Sequence, residues 1–256
     1  MALSDHLREL RGRLMKSVLV LLVGLVVALF FYDEIFQLVL TPYETAKEQL
    51  GSEVSTEATI AGVGGPLMLQ LKLCGMVAVV ATSPYWLYQI WAFILPGLHA
   101  KERTWTRVFA AIAGPLFLAG VVVGYLTLPK GLEILIGFTQ ADLTNLVEFG
   151  DYLTFLIRTL LVFGIAFEIP VFVILLNLAG VLRGESLGAH RPWIVIGTFV
   201  FAAVATPSTD PFTMIFLAGP MLVLFAISEV IARMLDRRRR AADQLEGLGD
   251  DEMSPL

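Results

Sequence analysis

A chain of 256 residues with 57% hydrophobic and only 16% charged side chains has too little polar surface to coat a water-soluble globule; soluble domains run at about 45–50% apolar and about 25% charged. A mean hydropathy of +0.77 excludes a disordered, collagen-like or nucleic-acid-binding chain as an overall description. The net charge of −5 misleads about partners, because the acids dominate the loops and the last residues.

The chain opens on LSDHLRELRGRL, where Leu3, Leu7, Leu10 and Leu14 recur at helical spacing. This predicts an amphipathic surface helix with Ser4 as N-cap and Asp5 in the first turn. Glu9 sits among Arg8, Arg11 and Arg13, and its plain reading is an i,i+4 pair with Arg13. A first membrane span is predicted near 16–37, too long for a signal peptide and lacking a small-residue cleavage site. The polar loop from Leu40 to Gly65 follows, with a short helix at YETAKEQL and a flexible GVGGP joint. A second span is predicted near 67–93, broken by Pro96-Gly97, with Gln89 inside it. The next loop holds Glu102 among Lys101, Arg103 and Arg107, read plainly as an intra-loop pair or the N-terminal charge of the third helix.

A third span is predicted near 106–128 and a fourth near 152–180. The fourth contains Glu168, a costly residue at membrane depth, followed by the helix-bending Pro170. Glu168 is either a structural polar filler or a contact for a partner helix or substrate in a concave notch, with Gln89 as a candidate neighbour. Spans near 192–206 and 212–233 are short and are read as full crossings rather than a re-entrant hairpin. Between them Asp210-Pro211 reads as an N-cap with Pro at N1. Glu229 reads as an i,i+4 partner of Arg233. The residues 236–256 are expected to form a disordered tail.

The fold class expected is therefore an all-α integral membrane protein, with a single six-helix domain over 1–235. Of the 18 Lys and Arg residues, 14 fall on one side of that arrangement. The positive-inside rule makes that side cytoplasmic and puts both termini there.

The sequence offers little machinery for catalysis. The single cysteine, Cys74, excludes a disulfide scaffold and cysteine-based metal sites, and His6, His99 and His190 are far apart in sequence. There is no GxxxxGK[ST], no HExxH and no GxSxG. An enzyme, a metal site and a cofactor are not expected. A proton-coupled transporter using Glu168 competes on composition alone, but no inverted repeat is evident.

Four segments, HLRELRGRL (His6–Leu14), YQIWAFILPGLHAKER (Tyr88–Arg103), FGIAFEIPV (Phe163–Val171) and ATPSTDP (Ala205–Pro211), resemble the TatC family, the multi-spanning subunit of the twin-arginine protein translocase. The resemblance covers essentially the whole chain. It implies six spans in a concave bundle within the bacterial cytoplasmic membrane. It also implies export of folded proteins driven by the proton-motive force, with TatA- and TatB-type single-span partners and a homo-oligomer within a receptor complex. Glu9 and Glu102 match the acids that dock the paired arginines of signal peptides; Phe93, Pro96, Gly97 and Leu98 fall in the same recognition region. Glu168 matches the intramembrane acid associated with partner contacts, and Asp210 the acid of the last outer loop. Physical chemistry agrees with the docking assignment, because a guanidinium is a planar fork that carboxylates grip and lysine does not copy. Arg158 matches none of these motifs; it either snorkels to the interface or pairs with an outer acid.

Overall fold

The computed structural model describes residues 3–51, 55–94, 103–140, 144–178, 180–205 and 211–246. In chain order they form α1 (Leu3–Phe30), α2 (Tyr32–Leu50), β1 (Ser55–Thr59), α3 (Gly65–Ala81), α4 (Ser83–Ile94), α5 (Arg103–Gly137), β2 (Thr144–Glu148), α6 (Phe149–Phe167), α7 (Ile169–Leu178), α8 (Gly184–Ala189), α9 (Arg191–Ala205) and α10 (Pro211–Glu246). Among the described residues, Leu7–Phe30, Ala111–Gly137, Phe149–Leu178 and Pro211–Arg238 are each long and apolar enough to cross a membrane. Helices α3 and α4, bent by 56° at the break between them, meet the same criterion only when taken together. Helix α9 has only 15 residues, about 22 Å of rise against a hydrocarbon core of about 30 Å.

The breaks have local causes. Pro84, the second residue of α4, has no N–H to offer the preceding turn, so the helix bends there. Side chains add bonds at the break: the Thr82 hydroxyl donates to the Ala78 carbonyl (2.7 Å), which also accepts the Thr82 N–H, and the Trp86 indole N–H donates to the Val79 carbonyl (2.9 Å). The α6–α7 break falls at Glu168, just before Pro170.

Four boundaries differ from the sequence reading. The first predicted span, 16–37, is interrupted at Phe31, where Asp33 and Glu34 favour a fresh helix N-terminus. Helix α2 then continues through the segment expected as a separate short helix. The fold is not purely helical either. β1 and β2 pair in parallel, Ser55 opposite Thr144 through Thr59 opposite Glu148, and the Tyr43 hydroxyl shares a hydrogen bond with Thr56 (3.2 Å). Finally, α10 runs to Glu246, well into the expected tail, since no glycine or proline interrupts 221–246.

One core joins α2 to α7, with Leu73, Trp91, Phe117, Leu153 and Leu156 fully enclosed. Helices α5 and α6 approach closely through glycine. A Cβ on Gly120 would lie 2.5 Å from the Phe163 carbonyl oxygen, and one on Gly164 2.6 Å from the Phe117 ring. A second cluster around Phe163, Ala202, Leu217 and Met221 seats α9 and α10 on α6. Helix α1 stays at the edge, with Leu14, Leu19, Val23 and Phe30 largely exposed.

Candidate functional site

Helices α1 and α4 enclose a groove of about 550 Å³. From α1 it takes Leu10, Arg13, Leu14, Ser17, Val18 and Leu21, a single stripe at i, i+3 and i+4 spacing. From α4 it takes Trp86, Gln89, Ile90, Phe93 and Ile94, with Val79 from α3. The lining is apolar apart from one polar cluster. Arg13 donates from Nε (3.0 Å) and Nη2 (2.7 Å) to Glu9 Oε1, and from Nη1 to Gln89 Oε1 (3.1 Å). The Ser17 hydroxyl donates to the Arg13 carbonyl (3.1 Å). The Arg13 and Glu9 side chains are 25% and 35% exposed, so water still reaches the pair. Glu9 Oε2 takes no hydrogen bond among the described residues.

Tertiary structure thus brings Gln89 and Phe93 into one groove, with Glu9 joined to it through Arg13. Pro96, Gly97, Leu98 and Glu102 follow α4 directly in the chain and lie outside the described residues, as does Asp210.

Glu168 is elsewhere. It caps α6, is only 4% exposed, and both its oxygens lack a hydrogen bond among the described residues. An open notch was expected around it; instead Trp91 lies beside the carboxyl, its own indole N–H buried without a bond of ordinary geometry. Trp91 also stacks against Phe172 at 4.7 Å. Gln89 is not the α4 neighbour of Glu168: two residues along a helix turn through about 200°, which sends Gln89 toward Arg13 and Trp91 toward Glu168.

A second polar constellation was only partly foreseen. Glu229 of α10 pairs with Arg233 (2.6 Å), as the i,i+4 spacing suggested, but also receives both Nε and Nη2 of Arg191 at 2.8 Å. Nearby, Asp236 accepts from the Gly184 N–H and the Asn177 amide, each at 2.7 Å, and Arg240 reaches Glu185. Arg191 is 38 residues from Glu229, and no local pattern announces a pair at that distance.

Chemically, the α1–α4 groove can hold an apolar segment along its length and a guanidinium at the Glu9 carboxylate. The α10 constellation has its charges already matched.

Comparison with known proteins agrees with the fold. The family model described as Sec-independent protein translocase protein (TatC) matches residues 5–220. A Sec-independent protein translocase protein TatC from Frankia casuarinae is 39% identical over 265 residues, covering 100% of this chain and 73% of the relative. One from Xylanimonas cellulosilytica is 38% identical over 94% of this chain and 88% of the relative. A crystal structure described as the twin arginine translocase receptor TatC superposes with a TM-score of 0.75 at 31% identity, covering 90% of this chain and 98% of that one.

Proposed function

Since the chain belongs to the TatC family of Sec-independent protein translocase proteins, we propose that it is the signal-peptide receptor of a twin-arginine translocase. In this reading Glu9 and Glu102 grip the two arginines, and the α1–α4 groove takes the apolar segment that follows. The observation that carries it is the state of Glu9. Its Oε1 already holds the Arg13 guanidinium while Oε2 remains uncommitted, so a second guanidinium can share or replace the first. Phe93, which lines the groove, and the Pro96, Gly97 and Leu98 that follow it in the chain belong to the same proposed recognition region. Six spans with cytoplasmic termini are part of the proposal, with α9 as a short crossing in locally thinned bilayer. So are TatA- and TatB-type partners, assembly into a homo-oligomer, and transport driven by the proton-motive force.

Losing one charge-assisted hydrogen bond, about 1.5–3 kcal/mol, should weaken docking roughly 10- to 150-fold. Photo-crosslinking of a twin-arginine precursor to this protein, against a lysine-pair precursor as control, measures it. Glu102→Gln and Glu9→Gln should each cut capture while the protein still inserts and accumulates. Undiminished capture in the double variant overturns the assignment.

Glu168 is proposed to act on the partner side rather than in docking. Because the enclosed Trp91 lies beside the carboxyl and packs on the exposed Phe172, a partner helix would act on Glu168 indirectly, through the Phe172 ring. Glu168→Ala should reduce crosslinking of a partner helix from position 172 and leave precursor docking intact; unchanged partner capture at 172 would count against this role.

A further inference from the structure

Two cations sit at membrane depth with nothing to hold them. Lys72 of α3 and Arg158 of α6 are both exposed, and neither forms an ion pair or hydrogen bond among the described residues. Leu69, Leu73 and Met76 on α3 and Leu153, Leu156 and Leu160 on α6 are buried in the shared core. Both helices start directly or shortly after a strand of the β1–β2 pair and run away from it in the same sense.

Depth follows from the helical rise. Lys72 lies seven residues after Gly65 and Arg158 nine after Phe149, about 10 and 14 Å along their axes. The Phe149–Leu178 stretch has 30 residues, about 45 Å of helix against a core of about 30 Å. If the overhang is shared between its ends, Arg158 starts only about 6 Å below the edge of the hydrocarbon, and Lys72 is shallower. Long basic side chains bridge such a distance by snorkelling.

On α6 the neighbours are distributed around the axis. Gly164 and Phe163 meet α5, Ala166 and Phe163 meet α9 and α10, and Ile157 and Leu161 pack on the core shared with α3. The remaining arc carries Arg158, the exposed Ile165 and, two turns toward the sheet, the exposed Asp151, about 10 Å from Arg158 along the axis. On α3 the remaining arc carries Lys72 and the exposed Met68 and Leu71. Helices α3 and α6 pack on each other, and both arcs face away from their shared core.

We propose that Lys72 and Arg158 form a binding site for the phosphate of an anionic phospholipid, in the leaflet on the sheet side, with its acyl chains along the α3–α6 seam. Charge complementarity selects a phosphate, and the depth selects a lipid. A carboxylate on a partner's helix would itself have to be buried at the same costly level, whereas lipid phosphates already occupy the adjacent layer. The site is independent of precursor docking and does not require either orientation of the termini.

Native mass spectrometry of the purified protein tests it, with dioleoyl phosphatidylglycerol against dioleoyl phosphatidylcholine as probes. The wild type should retain phosphatidylglycerol preferentially. Each of Lys72→Gln and Arg158→Gln should weaken retention about 5-fold, and the double variant about 30-fold. Lys72→Arg and Arg158→Lys should preserve it. Both residues are exposed, so thermal unfolding of all variants should match the wild type and confirm that the fold is intact. Undiminished phosphatidylglycerol retention in the double variant overturns the site, as does equal retention of the two lipids by the wild type. A photo-crosslinker at Ile165 that captures a partner helix instead of lipid also overturns it.

Discussion

Glu9 and Glu229 are both carboxylates holding arginine, and they differ in what surrounds them. Glu9 binds one guanidinium from its own helix, uses one oxygen, and stays 35% exposed at a groove mouth. Glu229 is 9% exposed, uses both oxygens, and ties two helices together: its own through Arg233 and the start of α9 through Arg191. Helix α8 packs on the same spot so tightly that a Cβ on Gly188 would overlap the Arg233 guanidinium. A solvent-exposed pair within one helix contributes little to stability and exchanges partners easily. A carboxylate saturated by two arginines across elements is a structural tie, costly to open. The same chemistry thus supplies a docking group in one region and a fastening in the other.

Four substitutions separate the two. Glu229→Ala should have the largest effect on the fold, about 2–3 kcal/mol, held below the cost of a fully buried pair because both arginines reach water. Thermal unfolding in detergent, followed by circular dichroism, should show that loss. Gly184→Ala comes next at about 2 kcal/mol, since its Cβ would sit 2.6 Å from the Arg233 backbone nitrogen; the same unfolding experiment reads it. Glu9→Gln should cost less than 1 kcal/mol by that measure while impairing precursor capture. Gln89→Ala should be smaller still, about 0.5 kcal/mol, because it removes one partly solvated hydrogen bond to Arg13. If Glu9→Gln destabilised the protein as much as Glu229→Ala, the contrast between the two carboxylates would collapse.

Much of the architecture was legible along the chain. Charge-free runs marked the membrane helices, and Pro170 marked the α6–α7 break because a missing N–H acts locally. The Glu9–Arg13 and Glu229–Arg233 pairs were readable from i,i+4 spacing alone. Less legible was the bend at Thr82, where Pro84 sits inside an otherwise uninterrupted apolar run. The β1–β2 pair was not visible at all. Its strands have five residues each and lie almost ninety residues apart, so neither segment carries a distinctive pattern by itself. The extension of α10 past Arg240 was masked by the acidic composition of its end, which says nothing about the Asp236 and Arg240 contacts made earlier.

By itself, then, the sequence determined the solvent this protein lives in, the helices that composition and proline dictate, and the residues with unusual charge at depth. These follow from local rules: rise per residue, missing N–H groups, and the cost of taking charge out of water. Tertiary structure alone decided which of those residues meet. It joined Arg13 to Gln89 across 76 positions and Arg191 to Glu229 across 38. It turned Trp91 rather than Gln89 toward Glu168, and it closed the glycine faces of α5 and α6 on each other. The reason is geometric: contact between helices depends on bend angles and rotations accumulated over the whole chain, and small local differences at Thr82 or Phe31 redirect every side chain beyond them.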